Sequence, residues 1–247
     1  MWPFTRKKSL LEAGVLRDWT DWHCHILPGV DDGISTLEDS LAALRWYEAQ
    51  GVREVWLTPH VMEDIPNTPA QLQARFAELC NAYYGEIPGQ AGNDGVSCPA
   101  ATGHLTLHLA AEHMLDPLFE ERLEAGELLP MGEELLVETS YFNPPLDLDG
   151  LLKAIRKKGF QPLLAHPERY VYMDQRDYAR LQDELGVAFQ LNLPSLAGAY
   201  GPEVRKKAER LLAEGRYCRT GSDLHRLAAF RHAMETKLNP ELFTKLI

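Results

Sequence analysis

The sequence has few cysteines and no long apolar run. Its four cysteines (Cys24, Cys80, Cys98 and Cys218) are scattered among 247 residues and form no C-x-x-C pair. Few, unpatterned cysteines are typical of a reducing compartment rather than of a disulfide framework, so we expect a cytoplasmic protein. No apolar stretch approaches the ~20 residues that a membrane-spanning helix needs, which predicts that no transmembrane segment is present.

Basic residues are too few for a nucleic-acid-binding surface. The chain has 25 Lys and Arg against 36 Asp and Glu, and its formal net charge is −11. Because nucleic-acid binding needs a basic footprint, we expect no such partner. The first residues are aromatic and basic without a signal-peptide core. We predict an N-terminal arm over residues 1–18, with weak contact to a membrane surface as its alternative role.

Several common catalytic motifs are absent as well. The sequence contains no C-x5-R phosphate loop, no Walker A loop, no G-x-G-x-x-G and no G-x-S-x-G. These absences argue against cysteine-dependent phosphatase, P-loop, dinucleotide-binding and serine hydrolase chemistry.

Strand and helix patterns alternate along most of the chain. About seven strand-helix units follow one another between residues 19 and 238. Repeated β/α units imply a parallel sheet with right-handed crossovers, and this number favours a closed or nearly closed barrel over a doubly wound sheet. The glycine- and proline-rich residues 85–103 read as a loop insertion, and residues 239–247 read as a C-terminal tail.

Most predicted strands end in side chains that can bind a metal ion. The first carries His23 and His25, which point to the same side of a strand, and Asp32 follows after a Pro-Gly turn. The later strands, except the sixth, contribute His60, Glu112, Glu138, His166, Asp223 and His225. A single His-x-His unit would suit incidental histidines equally well. However, all of these side chains lie at the C-terminal ends of predicted strands, where α/β barrels have their active sites.

These nine candidate ligands are too many for one ion and predict a cluster of two or three divalent cations. Imidazole and carboxylate ligands without thiolate suit Mn²⁺, Fe²⁺ or Zn²⁺. Such a cluster can clamp phosphate oxygens and acidify a bridging water, which predicts hydrolysis of a phosphoester.

The motifs that carry these residues resemble a known superfamily. They are D-x-H-x-H-I-L-P-G-V-D-D-G (21–33), G-V-R-E-V-W-L-T-P-H (51–60), A-E (111–112), L-V-E-T-S (136–140), A-H-P-E-R-Y (165–170) and G-S-D-x-H (221–225). This pattern is similar to the polymerase and histidinol phosphatase (PHP) superfamily. It most resembles the bacterial capsular or exopolysaccharide metal-dependent protein-tyrosine phosphatases of that superfamily.

The resemblance implies a fold and a distribution of ligands. The fold would be a distorted (β/α)7 TIM-like barrel, the PHP fold, in a single domain over residues 19–238. It would hold three ions, with Mn²⁺ as first candidate and Fe or Zn²⁺ as alternatives. His23, His25, Glu112 and Asp223 would hold one ion; Glu112, Glu138 and His166 a second; and Asp32, His60 and His225 a third.

The resemblance also implies a function. The chain would be a protein-tyrosine phosphatase that regulates capsular or exopolysaccharide biosynthesis by direct attack of a metal-bound hydroxide. Its partner would be a phosphotyrosine protein, such as a bacterial tyrosine kinase of polysaccharide export. The alternatives are a histidinol-phosphatase-like enzyme acting on a small molecule, and a metal-binding regulator without catalysis.

Arginines near the motifs are candidates for phosphate contact. Arg169 follows His166 by three residues, and a guanidinium can hold phosphate through two hydrogen bonds. The alternative for Arg169 is a salt bridge at the barrel rim with Glu168. Arg226 and Arg231 flank the last motif and are further candidates for the catalytic site.

Overall fold

A curled, mainly parallel sheet surrounded by helices forms the body of the protein. The computed structural model describes residues 7–85, 97–98 and 105–246. Within these ranges the strands are β1 (Lys8–Ser9), β2 (Thr20–Cys24), β3 (Glu54–Leu57), β4 (His60–Val61), β5 (Ser97–Cys98), β6 (Thr106–Leu109), β7 (Glu112–Met114), β8 (Glu134–Glu138), β9 (Gln161–Ala165), β10 (Ala188–Asn192), β11 (Arg219–Gly221) and β12 (Lys237–Leu238). The helices are α1 (Leu37–Gln50), α2 (Pro69–Tyr84), α3 (Phe119–Ala125), α4 (Leu148–Lys157), α5 (Gln175–Asp183), α6 (Leu193–Leu196), α7 (Pro202–Ala213) and α8 (Leu227–Glu235), with short 3₁₀ helices at Pro167–Arg169 and Pro240–Lys245.

Two larger sheets are continuous through bent strands. One has the order β11-β10-β9-β8-β7-β4, and the other has the order β2-β3-β6-β5. β3 runs into β4 after two residues, and β6 runs into β7 after two residues. Neighbouring strands in both sheets pair in parallel, except that β5 is antiparallel to β6.

Backbone contacts also join β2 to β11, at the outer edges of the two sheets. Cys24 and Leu224 form a parallel bridge. The N–H groups of Ser222 and Asp223 donate to the carbonyl of His23 at 3.1 and 2.8 Å, and the N–H of His25 donates to the carbonyl of Leu224 at 3.0 Å. The sheet is therefore curled into a half-barrel, and the mixed α/β architecture predicted from the sequence is confirmed.

The sequence signals that bound the helices act as expected. Thr36 caps α1 by accepting a hydrogen bond from the N–H of Asp39, and Gly51 ends the helix with φ +80°. The apolar pattern of residues 105–111 predicts one strand that ends at Glu112, and this prediction was wrong. The chain bends after Leu109, and Glu112 instead begins β7, which pairs with β8 in the other sheet.

The terminal segments pack against the body. β1 pairs antiparallel with β12, and Leu10 and Leu16 are buried. The domain boundaries (1–18, 19–238 and 239–247) stay predictions. Residues 1–6, as well as 86–96 and 99–103 of the predicted insertion over 85–103, lie outside the described residues. In the described part of the chain, no helix is both long and apolar enough to cross a membrane.

A buried polar contact ties α1 to the junction of β2 and β11. Asp21 is fully buried and accepts hydrogen bonds from the Tyr47 hydroxyl at 2.7 Å and from the Ser222 hydroxyl and N–H at 2.6 and 2.8 Å. Burial raises the pKa of Asp21 to about 6, although these hydrogen bonds act to lower it. The carboxylate at this junction is thus mostly ionised at neutral pH and depends on its donors.

Removing the Tyr47 donor should destabilise the fold. In Tyr47→Phe the buried carboxylate of Asp21 loses one donor, so at pH 7.5 we expect the free energy of unfolding to fall by about 1.5–3 kcal/mol, measured by urea denaturation. Tyr178→Phe is the matched control, because the Tyr178 hydroxyl donates to the neutral carbonyl of Pro167 at 3.3 Å. Its cost should be about 0.5–1.5 kcal/mol. Equal costs for the two variants would contradict the role given to Asp21.

Candidate metal centre

The carboxylate of Glu112 lies at the centre of a buried cluster of imidazoles. Its Oε2 atom is 3.1 Å from Nε2 of His23 and 3.3 Å from Nε2 of His25. The same oxygen is 3.2 Å from Nδ1 of His60, and Oε1 is 3.2 Å from Nε2 of His166. One carboxylate therefore contacts histidines from β2, β4 and the end of β9.

The remaining predicted ligands surround this centre. Oδ1 of Asp223 is 3.4 Å from Nε2 of His25 and 3.3 Å from Nδ1 of His225. Oδ1 of Asp32 is 3.3 Å from Nε2 of His225, and Oε1 of Glu138 is 3.0 Å from Nδ1 of His60. The structure thus brings together all nine residues that the sequence selected.

The nine residues form overlapping groups, and within each group the ligand atoms lie within 4.8 Å of one another. The groups are His23, His25 and Asp223; His23, Glu112 and His166; His60, Glu112 and Glu138; and His25, Asp32, His60 and His225. One group differs from the distribution that the resemblance implies. In the structure His60 lies with Glu112 and Glu138, whereas the resemblance groups His166 with these two carboxylates. The assignment of ligands to individual ions stays a prediction.

The orientation of two histidines fits a cation at the centre. Nδ1 of His23 lies 2.9 Å from Oε1 of Gln190, and Nδ1 of His25 lies 2.8 Å from Oδ2 of Asp31. Both partners are acceptors, so each Nδ1 carries a hydrogen and the lone pair of a neutral ring is on Nε2. The two Nε2 atoms face each other at 3.1 Å. Atoms bound to one ion at about 2.0–2.2 Å lie roughly 3.0–3.5 Å apart, so this spacing suits a shared divalent cation.

Unsatisfied polar atoms give a second test of fit. Among the described residues, both carboxylate oxygens of Glu112, Oε1 of Glu138, and Nδ1 of His60 and His166 are buried without a well-formed hydrogen bond. Buried polar atoms in native proteins rarely lack a partner. Several of these atoms lie 3.0–3.2 Å from one another without hydrogen-bond geometry. That arrangement is typical of ligands around metal ions.

In the cluster, the negative charges of the carboxylates favour protonation of a neighbouring histidine. Burial lowers the pKa of His23, but the charges of Glu112 and Asp223 outweigh it and raise the pKa to about 9. Burial raises the pKa of Asp223, but a hydrogen bond from His25 and the charge of His23 hold it well below its usual range. A hydrogen bond from His225 lowers the pKa of Asp32 to about 2. Divalent cations can replace these protons on the histidines.

Two of the cluster residues have left-handed backbone conformations. His166 has φ +34° and Asp223 has φ +50°. This region is unfavourable for residues other than glycine and persists where the surroundings impose it. The N–H of Asp223 donates to His23 at 2.8 Å, and the carbonyl of His166 accepts from the N–H of Arg169 at 2.9 Å. These contacts aim both side chains into the cluster.

The three candidate arginines lie at different distances from the cluster. Arg169 donates through Nη1 to Oδ2 of Asp223 at 2.6 Å, and its guanidinium lies 4.3 Å from the ring centre of Tyr141 and 4.1 Å from that of Tyr200. Its carboxylate partner is therefore Asp223 and not Glu168. Arg169 and Arg226 line a cavity of about 440 Å³ that also contains Asp32, His60, Asp223 and His225. Arg231 lines a neighbouring cavity of about 650 Å³.

Sequence reasoning missed polar residues that contact the predicted ligands. Gln190 contacts His23, and Asn192 donates to Asp223 at 2.8 Å. Both lie on β10, the sixth predicted strand, which has no ligand of its own. The sequence feature that could have revealed them is a pair of amides at alternate positions of an otherwise apolar strand. This spacing places both side chains on one face of the strand.

Comparison with known proteins identifies the family. Residues 19–239 match the family described as "Capsular polysaccharide synthesis, CpsB/CapC". The chain belongs to the CpsB/CapC family. The recognition of the bacterial capsular tyrosine phosphatases from the sequence motifs is thereby confirmed.

Relatives of this CpsB/CapC chain are named as tyrosine phosphatases. The tyrosine-protein phosphatase YwqE of Bacillus subtilis is 28% identical over 217 residues, which cover 83% of this chain and 76% of YwqE. The tyrosine-protein phosphatase CpsB of Streptococcus pneumoniae is 27% identical over 217 residues, covering 84% and 83%. A crystal structure from work on YwqE and CpsB, described as "unique metal-dependent tyrosine phosphatases", matches with a TM-score of 0.71 and 25% identity over 91% of this chain and 89% of that one.

Removing the charge of Glu112 should impair metal binding. We expect Glu112→Gln to hold less metal than the wild type, with an affinity lower by roughly 10–100-fold or more, because four imidazoles lose their shared carboxylate. Metal content after incubation with Mn²⁺ and desalting measures this. Glu134→Gln is the control. Glu134 lies at the end of β8 that is away from the cluster, and it pairs with Arg219 at 3.1 Å. Equal metal content in both variants would argue against a metal centre at Glu112.

Proposed function

We propose that this chain is a metal-dependent phosphatase that hydrolyses phosphotyrosine on a protein and so regulates capsular or exopolysaccharide biosynthesis. The observation that carries the proposal is the convergence of five histidines and three further carboxylates around Glu112 in a CpsB/CapC chain. Relatives named as tyrosine-protein phosphatases support the reaction class.

The proposal includes a finer description of the fold. We infer a distorted (β/α)7 TIM-like barrel in a single domain over residues 19–238. The hydrogen bonds between β2 and β11 support closure, and the bends between β3 and β4 and between β6 and β7 support the distortion. Closure at this position would place the first and last ligand motifs side by side.

The proposed cofactor is a set of two or three divalent ions, with Mn²⁺ as first candidate and Fe or Zn²⁺ as alternatives. The residues that would hold them are His23, His25, Asp32, His60, Glu112, Glu138, His166, Asp223 and His225. When bound, such ions supply positive charge to phosphate oxygens and acidify water for attack on phosphorus.

We infer that Arg169 orients the phosphate group. A guanidinium carries five N–H donors, which is enough to hold both Asp223 and a phosphate oxygen. Tyr141 and Tyr200 stack on the guanidinium at 4.3 and 4.1 Å and restrict its movement. Arg226 lines the same cavity, and Arg231 lies one cavity further away. Their phosphate roles stay predictions.

The shape of the cavity suits an aromatic leaving group. Its volume of about 440 Å³ is within the usual range for small-ligand pockets, and Pro194, Leu224 and Phe230 contribute apolar wall beside the cluster. The side chain of Asp32 is 68% exposed and that of His225 is 28% exposed. This part of the cluster is therefore accessible to a side chain presented by another protein, which favours a phosphotyrosine protein over an enclosed metabolite.

The biological setting rests on family membership. We propose a bacterial tyrosine kinase of polysaccharide export as the substrate protein, because the family takes part in capsular polysaccharide synthesis. The cytoplasmic location and the membrane contact of the N-terminal arm stay predictions.

Comparison of three substrates tests the reaction class. With Mn²⁺ present, we expect kcat/KM to be highest for a phosphotyrosine peptide, lower for a phosphoserine peptide and lowest for histidinol phosphate. EDTA should abolish turnover, and added Mn²⁺ should restore it. A preference for histidinol phosphate would favour the small-molecule phosphatase, and a folded, metal-loaded chain without turnover on any ester would favour the non-catalytic regulator.

Replacement of Arg169 tests its contact with phosphate. We expect Arg169→Met to lower kcat/KM for a phosphotyrosine peptide by roughly 10²–10³-fold, because a charged donor to the phosphate is lost. Arg226→Met and Arg231→Met, measured in parallel, rank the other two candidates.

Arg219→Met is the matched control for Arg169. Arg219 also stacks on an aromatic ring, 4.3 Å from that of Trp22, and pairs with a carboxylate, but it lies at the opposite end of β11 from the cluster. Its loss should leave kcat/KM nearly unchanged. Similar losses in both variants would mean that Arg169 acts through general stability rather than through phosphate.

A further inference from the structure

β10 provides no predicted metal ligand, yet two of its side chains point at the cluster. Gln190 and Asn192 are fully buried and are separated by one residue, so they lie on the same face of the strand. Gln190 contacts His23, and Asn192 contacts Asp223. Both contacted residues belong to the same group of candidate ligands, together with His25.

Gln190 determines which nitrogen of His23 is available to a cation. Its Oε1 atom lies 2.9 Å from Nδ1 of His23 and accepts from the backbone N–H of His166 at 3.4 Å. Its Nε2 group donates to the carbonyl of Leu191 at 2.5 Å. Because a backbone N–H is always a donor, the amide oxygen must be on this side, and Nδ1 of His23 must carry a hydrogen. The lone pair of the neutral ring is then on Nε2, which faces Glu112.

Close packing leaves little freedom for this contact. A Cβ atom at Gly221 of β11 would lie 2.5 Å from Cβ of His23 and 2.8 Å from Nε2 of Gln190. The backbone of β11 therefore approaches both side chains at a distance that a larger residue would not allow. The imidazole and the amide are held together by packing as well as by the hydrogen bond.

Asn192 makes the two carboxylate oxygens of Asp223 unequal by donating a hydrogen bond to one of them. Oδ2 accepts from Nδ2 of Asn192 at 2.8 Å, from Nη1 of Arg169 at 2.6 Å and from the hydroxyl of Tyr200 at 3.4 Å. Oδ1 faces His25 and His225 at 3.4 and 3.3 Å. A flipped amide would set a carbonyl oxygen against this carboxylate, so the donor must point to Asp223. Oδ2 is thereby occupied, and Oδ1 is directed at the cluster.

We propose that Gln190 and Asn192 are positioning residues for one metal ion, the ion that His23, His25 and Asp223 would share. Gln190 sets the tautomer and ring orientation of His23, and Asn192 restricts Asp223 to binding through Oδ1. Outer contacts of this kind orient metal ligands and influence affinity by about 10–100-fold. The proposal rests on the metal centre of the proposed function, but it concerns cation binding and not hydrolysis.

Titration of the metal-free chain with Mn²⁺ tests the proposal. The signal of free Mn²⁺ in electron paramagnetic resonance gives the affinity and number of sites without any substrate. We expect Gln190→Met and Asn192→Leu, which keep the approximate shape but remove the polar groups, to weaken one class of site by about 10–100-fold. Gln161→Met is the control. Gln161 lies at the end of β9 that is away from the cluster, and its amide donates to the carbonyl of Gly186.

Gln190→Glu separates positioning from packing. One carboxyl oxygen of this variant can still accept from Nδ1 of His23 and from the N–H of His166, and the other oxygen, when protonated, can donate to the carbonyl of Leu191 as Nε2 of Gln190 does. We therefore expect its Mn²⁺ affinity to stay within a few-fold of the wild type. If Gln190 only fills space, these contacts contribute nothing, and Gln190→Glu should bind Mn²⁺ no more tightly than Gln190→Met. That result, or wild-type affinity in both Gln190→Met and Asn192→Leu, would overturn the proposal.

Two controls keep the result decisive. Circular dichroism of the metal-free variants checks that they fold, and Gln190→Ser or Asn192→Ser, with the same expected loss, replaces any variant that does not. Hydrolysis of a phosphotyrosine peptide by the wild type is measured separately. A wild type that binds Mn²⁺ without hydrolysing the peptide would contradict the proposed function, while weakened binding in the variants would still support the role of β10.

Discussion

The buried carboxylate of Glu112 is the constraint on which the rest of the site depends. An isolated charge in a protein interior is costly, and it persists only when partners compensate for it. Here the compensation comes from four imidazoles, contributed by β2, β4 and the end of β9. A second contact on an imidazole limits its rotation and so keeps the ring beside the buried carboxylate. Asp31 and Gln190 supply such contacts for His25 and His23.

The site is also linked to the backbone contacts between β2 and β11. The carbonyl of His23 accepts from the N–H groups of Ser222 and Asp223, so the hydrogen bonds that join β2 to β11 also set the backbone of two ligands. Asp21 reinforces the same junction through Ser222 and Tyr47. The left-handed conformation of Asp223 is imposed by these contacts. A change that opened the junction would therefore separate the first and last motifs.

The convergence of the nine candidate ligands could be predicted from the sequence because their positions depend on local pattern. Strand periodicity places His23 and His25 on one face, and the C-terminal ends of apolar strand patterns mark where His60, Glu138 and His166 lie. The bend that makes Glu112 the first residue of β7 could not be predicted, because it follows from pairing with β8 in another sheet. The partner of Arg169 was also beyond prediction, since Asp223 is 54 residues away and Glu168 is adjacent. Gln190 and Asn192 were overlooked because amides do not stand out as ligands, and their role depends on tertiary contacts.

The cluster also links metal loading to the stability of the fold. Histidines and carboxylates share a buried volume in this cluster, the carboxylates raise the pKa of His23, and several polar atoms lack well-formed hydrogen bonds within the described residues. A cation that binds the folded chain and not the unfolded one stabilises it by an amount that grows with the ratio of its concentration to its Kd. The gain would be largest where candidate ligands from distant segments meet, as the residues of β2, β7 and the segment after β11 do in this cluster. The residues proposed to bind cations would therefore also couple cation binding to the stability of the fold.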